Sequence, residues 1–130
     1  MHLVPPERLS RRILEGDRVC RAIEILDHAG DLQRWAALFA TLGDPSRLAL
    51  LLAIAAAGPI SVSDLAVATG LQESTTSHAL ALLRAGGTVV AKRDGRVVRY
   101  RLGDAKVRDL LGYAGLDQMS VTASAARPRD

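Results

Sequence analysis

The sequence predicts a mainly α-helical domain that closes on a small two-stranded β ribbon, and three observations predict it. Apolar residues recur at helical spacing, in short runs punctuated by Gly and Asp-Pro, between residues 17 and 85. Two of these runs, at 61–70 and 73–85, are separated only by a short turn behind Gly70. After Gly86-Gly87 the period becomes alternating, with Val-rich runs on either side of Asp94-Gly95. Helix, turn, helix and ribbon in that order describe a winged helix-turn-helix, here with extra N-terminal helices. The expected organisation is a helical extension over 1–30, a winged domain over 31–116 and a flexible tail over 117–130.

The elements follow in chain order. Pro5-Pro6 precedes a short helix expected at Glu7–Glu15, with Leu9 and Ile13 on one side. Asp17 is placed to cap a helix to about Ala29, with Val19, Ile23 and Leu26 as its apolar stripe. Gly30 breaks the pattern. Asp31 caps the next segment, where Leu32, Trp35, Phe39 and Leu42 fall at helical spacing. Asp44-Pro45 restarts the chain, because proline at the first helical position loses an N–H that would be unpaired anyway. The helix it opens is expected to bury Leu48, Leu51, Leu52 and Ala55, and Gly58-Pro59 ends it. Ser61 and Asp64 have the spacing of a capping box, and Gly70 suits a left-handed C-terminal stop. The following helix, Glu73–Ala85, turns Thr76, Leu80 and Leu83 inward. Gln72 precedes it and is a poor cap. Strands are expected at Thr88–Arg93 and Arg96–Leu102 around Asp94-Gly95, since both turn residues tolerate positive φ. Asp104 caps a last helix with Val107, Leu110 and Leu111 inside.

Composition narrows the function. The chain has 130 residues, 48% apolar and 24% charged, an ordinary mixture for one globular domain. One Trp, one Phe and two Tyr leave no stacking platform for single-stranded nucleic acid. A single cysteine, Cys20, excludes an internal disulfide and a four-cysteine zinc site, and it suits a reducing, cytoplasmic location. No apolar run reaches the roughly 18 residues of a membrane span, so no membrane partner is expected. Met1–Glu15 lacks the apolar core of a secretion signal. There is no nucleophile arrangement, Gly-rich phosphate loop or framed pair of carboxylates, so no enzyme is expected. The net charge is +3, and the stretch Lys92–Arg108 holds seven Lys or Arg against two Asp. A local basic stripe of this kind suits a polyanion.

Two groups of residues stand out as a nucleic-acid surface. Ser74, Thr75, Ser77 and His78 lie opposite Leu80 and Leu83 on the second helix of the pair. Short hydroxyl side chains and an imidazole can reach base edges in a groove about 12 Å wide. Lys92, Arg93, Arg96, Arg99 and Arg101 flank the ribbon tip, where cations can follow a phosphate backbone. The same residues would also suit a solvated helix face and an edge strand guarded by charge. A docking or dimerisation module on the same scaffold, without DNA, stands as the alternative function.

Several stretches together resemble the ArsR/SmtB family of winged-helix repressors. They are Leu42-Gly43-Asp44-Pro45-Ser46-Arg47-Leu48, Ser63-Asp64-Leu65-Ala66, Ser77-His78-Ala79-Leu80 with Leu83-Arg84, and Asp94-Gly95-Arg96 with Arg99-Tyr100-Arg101-Leu102. The resemblance implies a homodimer on a two-fold symmetric double-stranded DNA operator, released by a metal ion or small ligand. It implies Glu73–Ala85 as recognition helix, Lys92–Arg101 as wing, and Asp31–Leu42 with Asp104–Ala114 as dimer helices. Many members of the family sense metals, which makes a divalent metal one candidate inducer. The family's metal positions are absent or incomplete here: Ser61 and Ser63 stand for a cysteine pair, Leu82 and Gly86 for another, and of the last-helix set Asp104 and Asp117 remain while Lys106 and Ser120 replace the histidines. Hydroxyls are poor ligands for soft metals. A different set, Cys20, Glu24, Asp27 and His28, falls along one face of the Asp17–Ala29 helix, where thiolate, carboxylates and imidazole could bind zinc, cadmium or nickel; the same residues would also suit a buried small cysteine beside an exposed polar edge.

Overall fold

The computed structural model describes residues 2–116, and the backbone clusters into two compact units, Met1–Ala40 and Thr41–Asp130. The expected tail at 117–130 lies outside the described residues. The first unit therefore extends past the 1–30 extension read from the sequence and takes in most of the helix that follows.

In the first unit a 3-10 turn at Pro6–Arg8 leads to α1 (Gly16–His28), and α2 (Leu32–Leu42) begins behind Gly30. The helix expected at Glu7–Glu15 is not formed beyond that single turn. Arg8, Arg11 and Arg12 would stand at i, i+3 and i+4 on one helical face and repel, and the segment is too short to overcome this alone. α1 starts one residue before Asp17 with Glu15 at its cap position and no side-chain capping bond. Asp31 does cap α2, accepting from the backbone amides of Gln33 at 3.0 Å and Arg34 at 3.3 Å. Val4 and Cys20 are buried in this unit.

The second unit holds α3 (Pro45–Ala57), β1 (Ile60–Ser61), α4 (Val62–Thr69), α5 (Glu73–Ala85), β2 (Val89–Asp94), β3 (Val97–Leu102) and α6 (Ala105–Leu111). Asp44 caps α3 through the Arg47 amide at 3.0 Å, with Pro45 in the first turn as expected. Its inward residues are Leu50, Leu51 and Ile54; Leu48, Leu52 and Ala55 are only half-buried. The helix is apolar nearly all round, so periodicity alone does not choose its core face. Leu65, Leu80, Leu83, Val89, Val107 and Leu111 complete an aliphatic core that contains no aromatic ring. Leu110 is half-buried rather than inside.

The sheet has three strands in the order β1-β3-β2, all antiparallel, where two strands were expected. β1 is too short to give an alternating pattern, and only its pairing of Ile60 with Tyr100 and Ser61 with Arg99 makes it a strand. No single helix among the described residues is long and apolar enough to cross a membrane.

Candidate nucleic-acid interface

The helix pair is built by capping at one end and burial at the other. Ser61 Oγ accepts from the Asp64 amide at 3.2 Å and starts α4. Gly70 stops it at φ 78°, a conformation that would strain a residue with a Cβ. Gln72 makes no side-chain cap, and Thr76 holds the first turn of α5 instead: its fully buried Oγ1 donates to the Gln72 carbonyl at 2.9 Å. Thr76, Leu80 and Leu83 face the core, as the sequence predicts. Ser74, Thr75, Ser77 and His78 are all exposed and fall within one and a half turns of each other on the outer face. Leu82, 53% exposed, extends that face by one more turn, and its apolar character hid it from a search for polar contacts.

The wing differs from expectation in its turn. Asp94 pairs with Val97 in the ladder, so the two-residue loop is Gly95-Arg96 rather than Asp94-Gly95. Gly95 has φ 65°, and no residue other than glycine has positive φ among the described residues. Positive φ at the first central position only is the pattern of a II′ hairpin. Asp94 thereby becomes a strand residue, and Arg96 occupies the tip.

Register sorts the five expected cations. Residues directly opposite each other in an antiparallel ladder share a face. Lys92 opposes Arg99, and Arg101 opposes Val90, so these three cations share one face with Asp94. Arg93 opposes Val98 on the other face, beside Ala91 and Tyr100. On the first face Asp94 Oδ2 receives a hydrogen bond from Arg99 Nη1 at 3.2 Å. Lys92, Asp94, Arg99 and Arg101 with Pro59 line a cleft of about 310 Å³. The sequence marks Pro59 only as a helix end and Asp94 only as a turn residue, and neither as part of this cleft. The two-residue alternation of Lys92-Asp94 and Arg99-Arg101 was the signal that could have placed Asp94 with the cations.

Comparison with known proteins gives the family. A model of the MarR family matches residues 44–99, from the cap of α3 to the wing. The HTH-type transcriptional regulator NmtR of Mycobacterium tuberculosis is 45% identical over 73 residues, which are 56% of this chain and 60% of that protein. A cadmium resistance transcriptional regulatory protein CadC homolog of Staphylococcus aureus is 31% identical over 88 residues, 68% of this chain and 73% of that protein. The chain belongs to the ArsR/SmtB family. Among solved structures, the homodimeric winged helix-turn-helix DNA-binding domain of a possible ArsR-family regulator from Mycobacterium bovis superposes with a TM-score of 0.53 at 29% identity, covering 78% of this chain and 99% of that one. The chain spans about three-fifths of the length of the first curated relatives it matches.

The ArsR/SmtB resemblance raises a metal, and the described residues of this chain do not by themselves fit one. Among them, no three His, Cys, Asp or Glu side chains stand together as a metal site. The set Cys20, Glu24, Asp27 and His28 is not assembled. Cys20 is buried, and the other three are exposed. Cys20 and Asp27 share a direction on α1 but are separated by about 10 Å along its axis. His28 Nδ1 lies 2.8 Å from the Glu24 carbonyl and is occupied there. At the family's own positions, the Ser61 hydroxyl caps α4 and contacts Ser63 Oγ at 3.3 Å, and Asp104 Oδ1 accepts from the Lys106 amide at 2.9 Å.

Proposed function

We propose that this chain binds duplex DNA as a homodimer and represses transcription. One observation carries the reading: an exposed row of short polar side chains on α5 is followed in the same compact unit by a ribbon bearing Lys92, Arg93, Arg96, Arg99 and Arg101. The helix would lie in the major groove, with Ser74, Thr75, Ser77 and His78 at base edges, and the cations would hold the flanking phosphates. Support for a dimer comes from the homodimeric M. bovis neighbour and from α2, where Leu32 and Phe39 remain 53% and 54% exposed. Two-fold symmetry would then space the recognition helices about 34 Å apart, one turn of duplex.

Fluorescence anisotropy on the chain's own upstream DNA tests this. Arg96→Ala and Arg99→Ala should each weaken binding to every sequence and lower the salt dependence by about 0.9 in slope. Thr75→Ala and His78→Ala should instead relax preference among operator variants. An unchanged affinity in the arginine variants removes the wing from the interface.

A metal as releasing ligand has support from the S. aureus relative named for cadmium resistance. Since one protomer gathers no donor set, that reading needs donors from two chains. Titration with zinc, cadmium and nickel decides it: release lost in Cys20→Ser places Cys20 in such a site, and no release in either protein removes metal from the mechanism.

A further inference from the structure

The N-terminal unit contains a groove that the DNA reading does not use. Its volume is about 310 Å³, at the small end of ligand sites. The floor is aliphatic, formed by Val4, Ile13, Val19, Ile23 and Leu26. Arg8, Arg11 and Arg12 stand around it, all exposed, and no aspartate or glutamate lines it. None of the three arginines has an ion-pair partner among the described residues, although Glu15 is nearby in sequence and pairs with Arg18 at 3.1 Å. Three guanidinium groups around one groove, with no carboxylate among its lining residues, make it strongly cationic.

The geometry points to a site for a small amphipathic anion, namely a free medium-chain aliphatic carboxylate. Its alkyl chain would lie on the Val19, Ile23 and Leu26 stripe of α1. Its carboxylate would accept from the arginines, whose planar forks match that group. The charge distribution argues against the other occupants. A second copy meeting this groove across a two-fold axis would set arginines against arginines. A DNA backbone would satisfy the arginines but leave the aliphatic floor against sugar and phosphate.

Titration calorimetry of the full chain without DNA tests the site independently of the DNA reading. Hexanoate, octanoate and decanoate, each below its micelle concentration, should bind saturably at one site per chain. Affinity should rise about fourfold per methylene. Decanol and decyltrimethylammonium should bind far more weakly. Arg11→Gln and Arg12→Gln, both at exposed positions, should each weaken decanoate by about tenfold with the circular dichroism spectrum unchanged. Methyl resonances of Val19 and Ile23 should shift with decanoate. Four results would each overturn the proposal: no saturable binding, equal binding of the cationic detergent, unchanged decanoate affinity in both arginine variants, or association with anionic lipid vesicles but not with free decanoate. Loss of DNA affinity in the arginine variants with decanoate binding intact would assign these arginines to DNA and overturn it as well.

Discussion

Asp94 shows what one side chain does among cations. It takes a hydrogen bond from Arg99 at 3.2 Å while remaining 79% exposed itself, so the pair is weak in stability but draws Arg99 across the ribbon to β2. Asp94→Asn should free that guanidinium and remove a charge that repels phosphates. Binding to any duplex should tighten by about two- to fivefold, and the gain should shrink as salt rises, which a salt series in anisotropy checks. Thr76 is the opposite case, a polar side chain with no exposure at all. Its hydroxyl shares the Gln72 carbonyl with its own backbone amide, also at 2.9 Å. Thr76→Val therefore leaves that carbonyl satisfied, and thermal unfolding should show a change below about 1 kcal/mol. The inward position of Thr76 was legible from its spacing with Leu80 and Leu83. The Asp94–Arg99 pair was not, because local turn preference does not decide which residues of Arg93-Asp94-Gly95-Arg96 are central. The ladder decides it, by setting Val89 in the core opposite Leu102.

Among the elements, the helix pair depends on the stop behind α4. Gly70 at φ 78° lets its amide donate to the Ala66 carbonyl at 2.9 Å and sends the chain into α5. A Cβ at Gly70 meets nothing within 4 Å, so the cost of Gly70→Ala is conformational rather than steric contact. It should destabilise by about 1 kcal/mol in denaturant unfolding and lower specific DNA affinity more than nonspecific affinity, since it tilts the recognition helix. The caps of α2, α3, α4 and α6 were all readable, because a capping side chain reaches only two or three residues along the chain. β1 and the core face of α3 were not. A two-residue strand has no period, and a helix apolar on most sides takes its orientation from what packs on it.

For the whole molecule, the proposed dimer is tested at α2. α2 carries Trp35 and Phe39 as a ring pair with centroids 6.2 Å apart, 36% and 54% exposed, next to the exposed Leu32. Exposed apolar side chains grouped on one helix suit a contact surface. Phe39→Glu should leave the wing and α5 intact, weaken self-association by at least about tenfold in sedimentation velocity, and reduce operator binding in parallel, since a monomer holds only a half-site. A variant that stays dimeric would move the interface elsewhere.

The order of α1 to α6, the caps of α2, α3, α4 and α6, the stop at Gly70 and the basic ribbon came from the amino-acid sequence by itself, because each rests on interactions within a few residues. So did the ArsR/SmtB resemblance, carried by short motifs in fixed order. Tertiary structure alone decided the third strand, the tip at Gly95-Arg96, the cross-strand register that sets Lys92 opposite Arg99, and the burial of Cys20 away from the exposed Glu24, Asp27 and His28. Each of those depends on which segment meets which across space, and residues sharing a helical direction or a stretch of chain do not thereby share a site.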